Sequence, residues 1–401
     1  MRILFLSPRH CWPPVTGAKL REFYFARALG QRGALTHVSF YEPGLHPLTR
    51  SDLPFCEDVV SLPKPQAYSP LKIIHGLFGR WPLSVANYTT PEMANKLDSL
   101  MKERSFDIVH IDSIHMAAYV PALRQKTKAL FIYDWHNIES ELMFRYGQNV
   151  SSLFRKMYAG LTGARLARLE RDILRNGSYH IVCSEREKIQ LKNIASSARI
   201  EVIENGVDAK SFEEPYANLE NRNRILFVGS MNYHANAEGV TYFARKVWPA
   251  LYQQFPQWRL TLVGSNPSPS ILALKSVPGV EVTGTVPDVR PYYRQAFVSI
   301  VPLRIGGGTR LKILEAMAAG VPVVSTPLGA EGLCVKPGAH ILMAETHEDW
   351  ARGLSNIFEN ADLRLTLINS AKELIRLRYD WEILGQMLFR TYCSWQDAAA
   401  Q

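Results

Sequence analysis

Arg310, Lys312 and Glu315 fall within one stretch, RIGGGTRLKILEAMAAGVPVVST (304–326), where three glycines stand before a helical pattern. Bare backbone lets an anionic group come close, and a helix start offers free N–H groups and the positive end of its dipole. Two cations beside such a start suit a diphosphate, both as ligand and as leaving group. A carboxylate one turn further on, Glu315, suits paired hydroxyls such as those of a ribose. A tight strand–helix turn with a solvated basic face has the same composition, so this stretch does not decide between the two. In the first half, IVHIDSIH (108–115) holds His110, Asp112 and His115, and YDWHNIESE (133–141) holds His136 beside Asp134, Asn137 and Glu139. Polar groups at strand ends orient hydroxyls or stabilise developing charge. Each histidine equally suits a strand cap or a core hydrogen bond.

The elements that carry these residues are legible as short β-branched runs alternating with longer amphipathic stretches. RILFLS (2–7), THVSFY (36–41), DIVHID (107–112), ALFIYDW (129–135) and YHIVCS (179–184) read as buried strands of the first half. RILFVGS (224–230), WRLTLVGS (258–265), VEVTGTV (280–286), VSIVPL (298–303) and VPVVST (321–326) repeat the pattern in the second. Between the first two strands, KLREFYFARALGQRG (19–33) reads as a helix with a glycine stop. Strand–helix alternation implies parallel sheets covered by helices, and two such runs imply an α/β chain of two Rossmann-like, doubly wound domains facing a cleft. The boundaries expected are 1–205, 206–378 and a terminal segment 379–401. Asn205–Gly206 is a turn signal, and Glu213 to Asn223 has the composition of a linker. The segment 379–401 reads either as an ordinary closing helix or as one that packs back onto the first domain.

A hydrophobic share of 47% and a charged share of 21% are those of a globular protein, and 401 residues exceed what one core usually serves. The five cysteines are odd in number and scattered, which argues against a disulfide framework and against a zinc site. The opening apolar run, ILFL, is too short for a secretory signal, so a cytoplasmic location is expected. The net charge of +9 is unevenly placed: residues 1–205 hold 27 basic and 19 acidic residues, an excess of 8, and the remainder an excess of 1. With no nucleic-acid motif beside it, this basic half points to an anionic substrate or the anionic inner face of the cell membrane. LFRKMYAGLTGARLARLERDILR (153–175), with six cations and two acids, and the aromatic stretch 68–84 are the segments expected to lie on lipid.

VIENGVDAKSF (202–212) and the stretch from Leu314 to Thr326, extended by GAEGL (329–333), resemble the retaining glycosyltransferases of the two-domain GT-B type, group 1 (family 4). The opening WPPVTGAKLR (12–21) is similar to that family's first glycine loop, with Gly17 as the loop glycine. The resemblance implies transfer of a hexosyl group from a nucleotide sugar, UDP- or GDP-linked, to a glycan or lipid-linked glycan, with no divalent metal and no other cofactor. It implies that Glu315 holds the ribose, that Gly306, Gly307, Gly308 and Thr309 lie by the diphosphate and sugar, and that Gly284 to Pro287, with Val286, meet the base. Gly229 and Ser230 would face the same site, and Arg310 and Lys312 would add mobile positive charge for the departing diphosphate. Asp112 and His136 are the candidates beside the reacting centre. Two departures stand out. The family's first glutamate is replaced by Gly307, and its usual Arg and Lys after the strand at 224–230 are absent from GSMNYHANAEG (229–239). The second leaves Arg310 and Lys312 to bring charge from another direction. The first leaves room for a binding subunit that has lost catalysis, and a related sugar-nucleotide epimerase or hydrolase, consuming donor without an acceptor, stands as a separate alternative. A dinucleotide oxidoreductase fits poorly, because the first strand leads into SPRHCWPPVTG without a G-x-G-x-x-G loop.

Overall fold

A computed structural model describes residues 1–65, 76, 79–212, 223–306 and 310–400. The chain divides into two compact units, Met1–Glu204 with Leu384–Gln401, and Asn205–Ile383.

The first unit is built on seven strands: β1 (Arg2–Ser7), β2 (Ala34–Tyr41), β3 (Asp58–Pro63), β4 (Ile108–Asp112), β5 (Leu130–Trp135), β6 (Tyr179–Val182) and β7 (Arg199–Val202). Their spatial order is β3-β2-β1-β4-β5-β6-β7, and every neighbouring pair is parallel. The central strands are apolar on both faces because helices cover both, so β1 and β4 are buried almost throughout. The edge strands β3 and β7 mix polar and apolar residues and are half-exposed, which is why hydrophobic runs alone do not reveal them. Helix Gly17–Gly30 returns the chain from β1 to β2, and the Thr16 side chain accepts from the Lys19 N–H at its start. The terminal helix Trp381–Ala400 contributes its part from Leu384 to this unit. An added Cβ at Gly385 would meet the Ala28 Cβ at 2.5 Å, so the glycine lets the two helices touch.

The second unit holds β8 (Arg224–Val228), β9 (Arg259–Val263), β10 (Val280–Gly284), β11 (Ala296–Val301), β12 (Val323–Ser325) and β13 (Leu342–Met343). Its order is β10-β9-β8-β11-β12-β13, again parallel throughout. Helix Leu311–Ala318 connects β11 to β12 and buries Ile313, Leu314, Ala316 and Met317. It ends in a Schellman turn: the Val321 N–H donates to the Ala316 carbonyl and the Gly320 N–H to that of Met317, with Gly320 at φ 63°. Both sheets therefore have the doubly wound, Rossmann-like topology. In each, the chain's winding reverses beside the first strand, between β1 and β4 and between β8 and β11, where such folds leave a crevice at the strands' carboxyl ends.

Candidate functional site

In the second unit, the residues proposed from sequence gather at the β8–β11 switch point. Gly229 and Ser230 follow β8, Gly306 follows β11, and Arg310, Lys312 and Glu315 sit at the start of helix Leu311–Ala318. The Lys312 ammonium donates to Asn236 Oδ1 at 2.7 Å and stands 4.2 Å from the centre of the Phe227 ring. Asn236 in turn donates to the Ser230 carbonyl at 2.8 Å, which fixes which way its amide faces. An added Cβ at Gly229 would lie 2.8 Å from Lys312 Nζ, so the bare backbone at the tip of β8 leaves room for this cation to approach closely. The charge missing from 229–239 thus arrives from the helix opposite. Burial, reinforced by repulsion from Arg310 and opposed by Glu315, lowers the Lys312 pKa to about 7.

Arg310 corrects one expectation. It is 5% exposed and occupies the position just before the helix, so its charge is held in place and is not mobile. Gly306 adopts φ 105°, and a Cβ there would press on the Ala235 methyl at 2.9 Å. Glu315 accepts a hydrogen bond from the Tyr293 hydroxyl at 3.0 Å. Burial raises the Glu315 pKa, while that hydrogen bond and Lys312 pull the other way. The ends of β8, β9 and β10 are drawn together by glycines: the Gly229 N–H donates to Val263, the Gly264 N–H to Gly284, and a Cβ on Gly264 would collide with the Gly229 carbonyl oxygen. Ser230 Oγ donates to Asn232 Oδ1 at 2.6 Å. Val286, two residues beyond β10, is half-buried against this unit's core. Gly307, Gly308 and Thr309 lie outside the described residues.

In the first unit, Asp112 ends β4 and His136 follows β5, and His136 Nε2 lies 2.8 Å from Asp112 Oδ1. The residue between β4 and the next turn, Ser113, has φ 72°, a left-handed conformation costly for a side chain with a Cβ. Its N–H donates to the Asp134 carbonyl, which ties the β4 and β5 ends together at this point. Such local strain is concentrated at sites that must hold a geometry. Asp112 also meets Glu22, from helix Gly17–Gly30, and the two carboxyls and His136 offer atoms within 4.8 Å of one another. Ser7 Oγ donates to Glu22 Oε2 at 3.0 Å, and Arg9 Nε pairs with Glu22 Oε1 at 3.1 Å. Both carboxyls are fully buried; burial, then the neighbouring carboxylate charge, pushes Glu22 well up and Asp112 up to about 7. Two adjoining buried carboxyls disfavour each other's charged form. Burial keeps His136 below its usual pKa against the pull of Asp134 and Glu22.

Beneath this cluster, Arg21 Nε donates to both Asp134 oxygens at 2.8 and 2.9 Å, and its Nη1 donates to the carbonyls of Ile203 and Glu204. Burial would raise the Asp134 pKa, but the Arg21 guanidinium outweighs it and holds the carboxyl low. His110 is a core residue: its Nδ1 lies 2.5 Å from the Tyr392 hydroxyl, and its ring stacks on Phe5. His115 Nδ1 is bonded to Ser113 Oγ, and burial lowers its pKa to about 3. Gly17 is exposed and opens its helix. Glu22, Arg9, Asn236 and Tyr293 were not singled out by sequence. A signal existed for Arg21 and Glu22, because both occupy the stripe that Phe25, Ala26, Ala28 and Leu29 bury one and two turns later. A separate cavity of about 710 Å³ in this unit is lined by Arg80, Trp81, Arg124, Tyr133 and Arg165 and includes none of the candidate residues.

Residues 22–211 match the family model described as Glycosyltransferase Family 4, and residues 222–360 match that of Glycosyl transferases group 1. A protein of unassigned function from the cps region of Klebsiella pneumoniae is 22% identical over 309 residues, 74% of this chain and 76% of its own. The phosphatidyl-myo-inositol mannosyltransferase of Mycobacterium tuberculosis is 28% identical over 204 residues, and the match spans about half of that enzyme, 53%. Among solved structures, sucrose-phosphate synthase from Thermosynechococcus elongatus superposes with a TM-score of 0.72 at 19% identity, over 99% of this chain and 100% of that one. The HepE protein of Anabaena, solved with UDP and glucose, gives 0.65 at 16% identity, over 98% and 100%.

Proposed function

Because the chain belongs to the group 1 glycosyltransferases of family 4, we propose that it moves a hexosyl group from a nucleoside-diphosphate sugar to a glycan or lipid-linked glycan. The observation that carries this reading is the trio at the β8–β11 switch point: Lys312 against the tip of β8, Arg310 at the helix start, and Glu315 one turn on beside Tyr293. Two fixed cations and a carboxylate at that spacing match a diphosphate and a ribose. The mannosyltransferase relatives and the UDP-bound neighbour favour the same donor class. The donor is UDP- or GDP-linked in this reading, and the product serves cell-surface polysaccharide or glycoconjugate synthesis at the cytoplasmic face of the membrane.

Chemically, the bond from the anomeric carbon to the diphosphate oxygen breaks and the diphosphate keeps the electron pair. Arg310, Lys312 and the N–H groups at the helix start meet that growing charge, so this reading assigns no step to a divalent metal. The acceptor hydroxyl forms the new bond and passes its proton to an oxygen of the departing diphosphate, with retention at the anomeric carbon. No side chain is assigned as a covalent nucleophile. Asp112 and His136, held by the Glu22 contact and the β4–β5 link, are assigned to the sugar and acceptor hydroxyls. Calorimetry with UDP, GDP and their sugars, followed by transfer assays with and without EDTA, tests the proposal. Tight binding of one nucleoside diphosphate and EDTA-resistant transfer are expected. No binding of either at millimolar concentration would overturn the donor assignment. Gly307, where the family usually carries glutamate, favours one second reading, a donor-binding subunit without turnover. That reading predicts binding of the nucleotide sugar but no transfer.

A further inference from the structure

Helices Glu139–Asn149 and Leu153–Arg175 form a hairpin on the first unit. They pack closely: a Cβ at Gly147 would touch the Ala159 Cβ at 3.1 Å. The second helix has 23 residues, about 34 Å at 1.5 Å per residue. Its carboxyl end leads into β6 at the sheet's amino edge. β5 has six residues and β6 four, so the sheet is at most about 20 Å deep here. The first turns of the helix therefore project past the carboxyl edge, the edge where Asp112 and His136 lie. Its buried residues begin only at Ala159. Before that point Leu153, Phe154 and Met157 are 74%, 86% and 71% exposed, and Tyr158 and Leu161 continue the same face. Arg155 and Lys156 are exposed between them, and no acidic residue appears in the helix before Glu170.

We propose that this hairpin tip docks on an anionic lipid bilayer. Leu153, Phe154 and Met157 enter the boundary between headgroups and acyl chains, and Arg155 and Lys156 meet headgroup phosphates. A protruding tip with its largest apolar side chains in water and cations set among them suits a surface that is apolar just below a negative layer. It does not suit a second copy of the same patch. A twofold contact would set Arg155 and Lys156 of both copies together with no acid to pair them. Docking this tip puts the Asp112–His136 edge of the unit next to the bilayer, where a lipid-anchored acceptor is presented. The assignment deepens the transferase reading but is tested without it, since lipid binding needs neither donor nor turnover.

The test is flotation of the full chain with vesicles of phosphatidylglycerol and phosphatidylethanolamine, and with phosphatidylcholine vesicles, at about 0.1 M salt, where surface charge is only partly screened. The unchanged protein should float with the anionic vesicles and stay largely free with phosphatidylcholine. Phe154→Ser with Met157→Ser should lower partitioning at least tenfold, and Arg155→Glu with Lys156→Glu should lower it as far. Both pairs are solvent-facing, so an unchanged melting curve and unchanged nucleotide binding are expected of them. Anionic-vesicle binding that both variants retain in full overturns the proposal, as does no flotation of the unchanged protein. A dimer in light scattering that Phe154→Ser with Met157→Ser disperses would assign the tip to a second copy instead. Vesicle binding by a protein that binds no nucleotide would leave this surface standing and remove only the transferase reading.

Discussion

Replacing Lys312 by methionine removes the cation held beside the tip of β8 and keeps a side chain of similar length beside Phe227. A hydrogen bond to a charged group is worth about 1.5–3 kcal/mol, so nucleoside diphosphate affinity at pH 7 should fall about 10- to 150-fold. The pH dependence is the sharper test. Burial holds the Lys312 pKa in the free protein near 7, whereas a bound diphosphate stabilises the ammonium and raises it. Binding above that pH therefore requires proton uptake, and affinity falls as pH rises. With a free pKa of about 7, affinity should drop about 50-fold between pH 7 and pH 9, and about 0.9 proton should be taken up per ligand at pH 8. Titration calorimetry in two buffers of different ionisation enthalpy measures that uptake directly. Lys312→Met should show neither the slope nor the uptake. A nucleoside diphosphate affinity that Lys312→Met leaves unchanged at pH 7 would refute the assignment of Lys312 to the diphosphate.

Glu315→Ala should cost at least tenfold in affinity for the ribonucleotide and abolish discrimination against its 2′-deoxy analogue, measured by competition calorimetry. Tyr293→Phe leaves a buried carboxylate short of a donor and should weaken the same discrimination while lowering stability by about 1–3 kcal/mol. Arg21→Ala strands Asp134 and the Ile203 and Glu204 carbonyls in the interior and should cost about 3–5 kcal/mol in urea denaturation. Because the Asp134 pKa is lowered on folding, the ion pair's contribution is fully present above the ordinary aspartate range, declines as pH drops below that range, and is lost as pH falls through the lowered native value. Glu22 shows the opposite sign. Its raised pKa means the folded state holds a proton that the unfolded state has released, so its effect is to lower stability as pH rises above about 4.5. Glu22→Gln should raise the melting temperature at pH 8 and leave it nearly unchanged at pH 4.

Strands such as β1, β4 and β11 were legible because parallel sheets covered on both faces require unbroken apolar runs. Edge strands β3 and β7 were not, since they are half-exposed and mix polar with apolar residues, and β13 was not because it is only two residues long. The grouping of Arg310, Lys312 and Glu315 was legible because a glycine run, two cations and an acid fall within twelve residues. Its partners were not: Asn236 meets Lys312 across 76 positions of chain, and Tyr293 meets Glu315 across 22. Asp112 and His136 were readable as polar residues at strand ends. That Asp112 lies beside Glu22 brings together positions 90 residues apart, and nothing local in either segment encodes it.

The discontinuity of the first unit has a consequence for synthesis. Domains generally fold in the order they leave the ribosome. Here the second unit is one uninterrupted run, Asn205–Ile383, whereas the first needs Leu384–Gln401 to close. Until Tyr392 arrives, His110 has no hydroxyl partner, and until Trp395 arrives, the Tyr179 ring lacks its neighbour at 4.8 Å. The amino-terminal unit, though begun first, is therefore completed only after the whole of the second unit has been made.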